Sequence, residues 1–409
     1  MDMRPNSKGA LAKNASVPLW TKQYTLICIA NLVLFTAHYM LTPTIPLYIQ
    51  YLGGNEVMAG LGTTVFSIAA LVVRPFTGWI LDHKGRKFIT LLGMALTTVF
   101  FWGYNLATAV LIVLALRLFE GAAWGIADTS LGTVMADNIP RERFAEGMSY
   151  CSATCQLALA MAPAISLAIL EKAPYSTVFL VVSCSILVTL FITTLQIKYH
   201  PIQKKETTSQ RLRLLDLIDR NALKPCMVVV LYSIPYAALM TFIASYGIEK
   251  GISSSGFFTF MAGAVVVSRL FLGRCIDRLG SDRVIYLSMP LFFFAPILLV
   301  ISPSVILFYI SAVFFGLGLG IMMPCIQTSV VSSAPPHDKG RATSTYFLAF
   351  DVGLALGGVI AGWIAELIGL SAMFLTMTVP TAISAVFYYF CCDKTHRRTR
   401  ASLEGKSKN

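Results

Sequence analysis

The stretch Arg74-Pro75-Phe76-Thr77-Gly78-Trp79-Ile80-Leu81-Asp82-His83-Lys84-Gly85-Arg86-Lys87 decides the fold. It joins an apolar run over about 57–81 to another over about 88–106, so a short basic loop links two segments that are each long enough to cross a bilayer. The spacing returns in Arg269-Leu270-Phe271-Leu272-Gly273-Arg274-Cys275-Ile276-Asp277-Arg278-Leu279-Gly280, where Arg, Gly, Asp and Gly recur 195 residues later. A basic loop alone would explain the cations. It would not explain the spaced glycines and aspartate, nor their repetition.

The surrounding composition agrees. The 409 residues are 56% hydrophobic and 13% charged, against about 25% charged in an ordinary soluble domain. A water-soluble fold is excluded, as is disorder, which needs low hydrophobicity and dense charge. Runs of this length are also unlike the short alternating strands of an outer-membrane barrel. Twelve of them are expected to be transmembrane helices, at about 24–47, 57–81, 88–106, 109–135, 142–170, 175–197, 223–246, 255–276, 283–301, 304–331, 340–367 and 371–392. The expected architecture is an all-α polytopic membrane protein with two six-helix halves, 23–197 and 223–392. An arm (1–22), a linker (198–222) and a tail (393–409) complete it. Residues 1–22 are polar and basic, and the first apolar run has spanning length, so no cleavable signal peptide is expected.

The net charge of +12 would suit a nucleic-acid binder, but the placement of the cations speaks for topology. Of the 32 Lys and Arg, Arg74, Arg117 and Arg269 lie inside apolar runs, and only Lys172 and Lys250 lie in the loops of one side. All the others fall in the arm, the linker, the tail or the loops of the opposite side with the run ends that border them. Cytoplasmic loops carry such an excess, so both termini are expected in the cytoplasm, in a plasma (inner) membrane, with no nucleic-acid partner.

The 195-residue offset also carries Gly121 to Gly316, Gly125 to Gly320, Pro140 to Pro335 and Ala162 to Gly357. One frame held over so many positions points to duplication of a six-helix unit. Because six is even, both copies enter the membrane the same way and are related by an axis along its normal, with a cavity between them.

Enzymatic chemistry finds no support. No catalytic set, metal site or cofactor is expected: the five histidines are scattered and no GxxxxGK[ST] occurs. Gly316-x-Gly318-x-Gly320 follows no strand and suits a packed helix. Of the nine cysteines, Cys28, Cys184 and Cys325 lie in apolar runs. Cys151/Cys155 read as small apolar fillers and Cys391/Cys392 as a juxtamembrane dipeptide. The sequon at Asn14 falls in the cytoplasmic arm.

The stretch around Gly78, Asp82, Gly85 and Arg86 closely resembles the loop between helices 2 and 3 of the major facilitator superfamily. The copy around Gly273 and Asp277 resembles the loop between helices 8 and 9 of such proteins. The resemblance implies that Gly78, Asp82, Gly85, Arg86, Asp137, Gly273 and Asp277 form a gating cluster that latches the halves in the outward-open state. Gly78 would allow close helix approach, and Asp82 could face Arg86 if helix continued between them. Arg117-Leu118-Phe119-Glu120-Gly121 resembles the family's Arg-x-x-Gln-Gly motif, with Glu120 where Gln is usual. Thr42-Pro43-Thr44-Ile45-Pro46-Leu47-Tyr48, Arg74-Pro75 and the intramembrane acids make the chain most similar to the 12-helix drug:proton antiporter branch. Leu159-Ala160-Met161-Ala162-Pro163-Ala164 keeps the small-Pro step of the branch's helix 5 motif but loses its glycines. Gly353, Gly357, Gly358 and Gly362 give helix 11 the richer pattern.

Charges inside a membrane face a cavity or a partner by default. Glu120, Asp128 and Asp351, with Arg117, are therefore the candidate proton-coupling and substrate-cavity residues. The plainer alternative has Arg117 neutralising Glu120 at i, i+3, with Asp128 bonded to backbone or a hydroxyl. Tyr39, Trp124, Tyr236 and Tyr346 are possible cavity aromatics. His38 is either a proton relay or a hydrogen-bonded structural residue. One arginine against three acids would favour neutral or cationic substrates. The expected function is proton-coupled export of small organic molecules by alternating access, by a monomer in the lipid bilayer. Import of a sugar or other nutrient by a symporter or uniporter is the alternative, and a membrane-embedded enzyme or scaffold a remote one.

Overall fold

The computed structural model describes residues 18–140, 143–197, 199, 222–279, 281–301, 304–332 and 339–393. The expectations for the arm, the linker and the tail therefore fall almost wholly outside the described residues. The first six helices are α1 (Lys22–Tyr51), α2 (Glu56–Lys84), α3 (Arg86–Gly103), α4 (Val110–Asp137), α5 (Phe144–Leu170) and α6 (Tyr175–Phe191). The second set comprises α7 (Leu223–Lys250), α8 (Ser254–Leu279), α9 (Ser281–Ile301), α10 (Val305–Ser332) and α11 (Lys339–Ile368). Its last span is broken at Met377 into α12 (Leu370–Thr376) and α13 (Thr378–Phe387).

Local chemistry sets these boundaries. Thr21 and Asn55 cap α1 and α2 by accepting the backbone N–H of Tyr24 and of Met58. Gly85, Gly251 and Gly369 take positive φ (97°, 66° and 85°) at helix junctions, where a side chain would be strained. Gly85 breaks the chain between α2 and α3, so the continuous helix supposed between Asp82 and Arg86 is interrupted there. Among the described residues, eleven helices are long and apolar enough to cross a membrane. The twelfth, α8, packs within the same bundle against α5 and α10. Side chains such as Val99, Leu111, Phe119, Phe191, Ile306 and Trp363 are exposed on its flanks, an apolar belt that suits lipid.

The duplication is visible in the packing. Gly121 lies against the carbonyl of Phe66 in α2, and Gly316 against the carbonyl of Met261 in α8, 195 residues further on. Gly125 meets Ala70 as Gly320 meets Val265. Glu366 accepts the N–H of Glu56 at the start of α2, and Glu171, 195 residues earlier, accepts the hydroxyl of Ser255 at the start of α8. Two equivalent seams thus join the halves: α2 on α11, and α8 on α5.

The α2–α11 seam closes from the end that holds Glu56 and Glu366. A Cβ on Gly362 would meet the Glu56 carbonyl at 2.7 Å, and one on Gly358 would meet that of Gly60 at 2.7 Å. Deeper in, Thr64 donates to the carbonyl of Ala355 at 2.8 Å, and Thr63 bonds Thr241 of α7 at 3.0 Å. Gly353 and Gly357 lie on the opposite side of α11 and admit α7, against Ser233 and Ile234. Small residues therefore clear both sides of α11, as expected of its glycines. Gly78 behaves otherwise. Near the Gly85 end, nothing lies within 4 Å of where its Cβ would be, so the close approach expected there is absent from this conformation.

Candidate functional site

At its deepest point the α2–α11 seam holds an ion-paired triad. Arg74 of α2 donates from Nη1 to Asp128 Oδ2 of α4 at 2.6 Å, and its Nε lies 3.0 Å from Asp351 Oδ2 of α11. The first contact is an aligned hydrogen bond and the second an ion pair without that alignment. Side chains on a helix tilt toward its N-terminus, which carries the long Arg74 side chain back toward the closed end, where α11 approaches. With 1.5 Å of rise per residue, the three residues sit roughly 13–18 Å inside the Gly85-end termini of their helices, near mid-span. Side-chain exposures of 17%, 23% and 9% for Arg74, Asp128 and Asp351 leave the triad partly reachable.

Glu120 occupies a different setting. It and Arg117 are sealed, at 0% and 5% side-chain exposure, with Arg117 Nη1 donating to Glu120 Oε2 at 2.9 Å. The Tyr104 hydroxyl, on the turn after α3, donates to the same oxygen. Arg117 also donates from Nε to the Gly62 carbonyl at 3.2 Å and lies 4.3 Å over the Phe66 ring. The i, i+3 neutralisation foreseen for Glu120 is present, inside one half and away from the seam.

The sequence-derived candidates therefore separate. Asp128 and Asp351 are brought together, and Asp128 binds Arg74 instead of backbone or a hydroxyl; Arg117 and Glu120 form their own pair. Arg74 is not among the cavity residues expected from the sequence, although its place within an apolar run, like that of Arg117, is the signal that points to it. Trp124, Tyr236 and Tyr346 are buried in side-chain packing, and Tyr39 is partly buried. Trp124 stacks on His38 at 4.0 Å, and Phe66 covers the other part of that ring at 5.0 Å. His38 Nδ1 has no hydrogen-bond partner, so ring packing holds the residue where a hydrogen bond was expected. In the gating cluster, Arg86 Nε pairs with Asp137 Oδ2 at 3.0 Å, and its Nη1 donates to the Leu81 carbonyl at 2.7 Å. This clamps the α2–α3 junction onto the end of α4. Asp82 lies in the last turn of α2, and Gly273 and Asp277 in the last turns of α8. Their latch role rests on surroundings outside the described residues.

A twelve-helix bundle with duplicated halves, a closed seam at one end and intramembrane ion pairs at its depth is the architecture of a transporter. The family model of the Major Facilitator Superfamily matches residues 27–337 and 257–408. The chain belongs to the Major Facilitator Superfamily. Among its relatives, the staphylopine export protein of Staphylococcus aureus is 23% identical over 364 residues, covering 85% of this chain and 90% of the relative. The multi-drug resistance efflux pump PmrA homolog of Lactococcus lactis is 22% identical, covering 94% and 98%. The multidrug resistance protein MdtG of Enterobacter lignolyticus is 23% identical, covering 90% and 91%. Among solved structures, the nucleoside transporter NupG superposes with a TM-score of 0.75 at 15% identity, over 90% of this chain and 99% of that one. A bacterial homolog of the human lysosomal transporter Spinster also reaches 0.75, at 13% identity over 92% and 97%. As a major facilitator, the chain is a multi-pass membrane transporter of small molecules and not an enzyme.

Proposed function

We propose that this major facilitator exports small organic molecules from the cell in exchange for protons. It acts as a monomer in the plasma membrane, with both termini cytoplasmic. The observation that carries the reading is the triad: Arg74 ties Asp128 of its own half to Asp351 of the other at the deepest contact of the seam. The export direction follows the relatives named as efflux and export proteins. The orientation follows the Lys and Arg bias of the loops, which makes the Gly85 end cytoplasmic and this conformation closed toward the outside.

Proton binding and ion pairing with Arg74 compete for the same carboxylate oxygens. When the seam is open, Asp351 is free to take a proton from the outer side. When it closes, Arg74 reclaims the carboxylate and the proton leaves toward the cytoplasm. Substrate entering from the cytoplasm must then loosen the triad before the halves can rock apart at the Glu56 end.

The test is extrusion of ethidium and a panel of other drugs into everted membrane vesicles under an imposed pH gradient. Asp128→Asn and Asp351→Asn are each expected to lower gradient-driven transport at least tenfold. Unchanged coupling in both variants would sink the proton assignment. Accumulation by intact cells in place of everted vesicles would reverse the direction to import.

A further inference from the structure

The second copy of the duplicated unit retains the arginine of the triad but neither of its acids. Arg74 recurs as Arg269 in α8, at the same register and in the equivalent seam. The position equivalent to Asp128 is Met323 in α10. The position equivalent to Asp351 is Gln156 in α5, the helix that packs on α8 as α11 packs on α2. Side chain by side chain, the structure agrees with this loss. Arg269 Nε is buried with no hydrogen-bond partner, and no carboxylate of the described residues pairs with the guanidinium. Among the described residues, the groups within its electrostatic reach are Cys325 and the phenol of Tyr346, which is itself bonded to Tyr232 at 2.9 Å.

A guanidinium at mid-span without a counter-charge is costly, and such groups are held with a partner. On the α2–α11 side that partner is a carboxylate of the chain. On the α5–α8 side the described residues supply none. We propose that Arg269 is a ligand-binding residue that takes an anionic group, a carboxylate, of the transported molecule. The proposal rests on reading the chain as a transporter with its site between the halves, and deepens that reading by naming a substrate class. The guanidinium fork accepts a carboxylate through two parallel N–H···O bonds. Met323 and Gln156, at the positions equivalent to the two acids, carry no negative charge, and Tyr346 of the Tyr232–Tyr346 pair is within its electrostatic reach. The charge count at mid-span changes accordingly. Arg74 and Arg117 already neutralise acids, so the preference for neutral or cationic substrates expected from three acids and one arginine no longer follows.

The test uses purified full-length protein and reads its melting temperature at fixed pH and ionic strength. Sodium chloride is compared with the sodium salts of acetate, benzoate, citrate and glutamate, and benzoate and glutamate also with their amides, benzamide and glutamine. At least one carboxylate is expected to raise the wild-type Tm by several degrees over chloride while the amides do not. Arg269→Gln is expected to weaken that response at least tenfold in ligand concentration, and Arg269→Lys to keep part of it. Without ligand, Arg269→Gln should melt at the wild-type temperature or above, because it removes a partly buried charge whose Nε has no partner. The proposal is overturned if no carboxylate stabilises the wild type, if Arg269→Gln responds equally, or if it melts lower without ligand, as a structural arginine would require. Gradient-driven uptake by wild-type everted vesicles of ethidium, the drug panel and any carboxylate that raises the Tm is scored separately. Its absence would remove the proton-driven export reading without touching the Tm result, so the two failures are distinguishable.

Discussion

Arg74 and Arg117 lie in the same six helices, yet their surroundings assign them different work. Arg117 is locked by a carboxylate, a carbonyl and an aromatic face, all within one half. Breaking a buried pair by removing one partner costs about 3–5 kcal/mol, because the other charge is left uncompensated. Arg117→Ala is therefore expected to lower stability by about that amount, measured as a fall in Tm in detergent; an unchanged Tm would show that Glu120 finds another partner. Arg74 instead reaches across the seam. Asp351→Asn removes the charge that holds the other half, while Arg74 keeps Asp128. The expected outcome is a modest loss of stability with a shift toward the state open at the Glu56 end, read as increased spin-label distances between the ends of α1 and α7. Distances equal to wild type would show that the small-residue contacts alone hold the seam.

Among the elements, α11 is constrained by close neighbours on two sides. Gly353 and Gly357 admit α7 of its own half, and Gly358 and Gly362 admit α2 of the other. If the halves rock as proposed, the first pair stays packed within one half, whereas the second is used only when the seam is shut. Gly358→Leu is accordingly expected to hinder closure at the Glu56 end and lower transport severely, with a smaller effect on stability. Gly357→Leu, facing Ile234 within one half, is expected to impair folding and yield. Comparing the purified amounts and spin-label distances of the two variants checks this. Equal loss of folded protein in both would remove the distinction. The α2–α3 junction is governed differently, by the positive φ of Gly85 and by the Arg86–Asp137 clamp.

At the scale of the whole molecule, two halves with equivalent packing meet along two seams that are closed at one end. Thr63 and Thr241, 3.0 Å apart at their hydroxyls, lie on opposite halves. A pair Thr63→Cys with Thr241→Cys, in a background with the native cysteines replaced, is expected to form a disulfide under mild oxidation. That cross-link should stop transport, and a reductant should restore it. Full transport by the cross-linked protein would show that the halves need not separate there.

The sequence by itself determined the helix count, the membrane, the duplication and the split of basic residues between the two sides. These depend on the length of apolar runs, on local spacing and on where cations fall between the runs, all of which are visible along one chain. It also placed Glu120 within reach of Arg117, since one helical turn separates them. Only the tertiary structure decided that Arg74 stands between Asp128 and Asp351, because that contact joins three helices, one of them from the other half and 277 positions away in the chain. It alone decided which glycines are packing sites and which, like Gly78, face open space, because that depends on how far the halves have rocked. The same physics isolates Arg269. Whether a cation at mid-span has a counter-charge is a property of its neighbours in space, and sequence spacing does not report them.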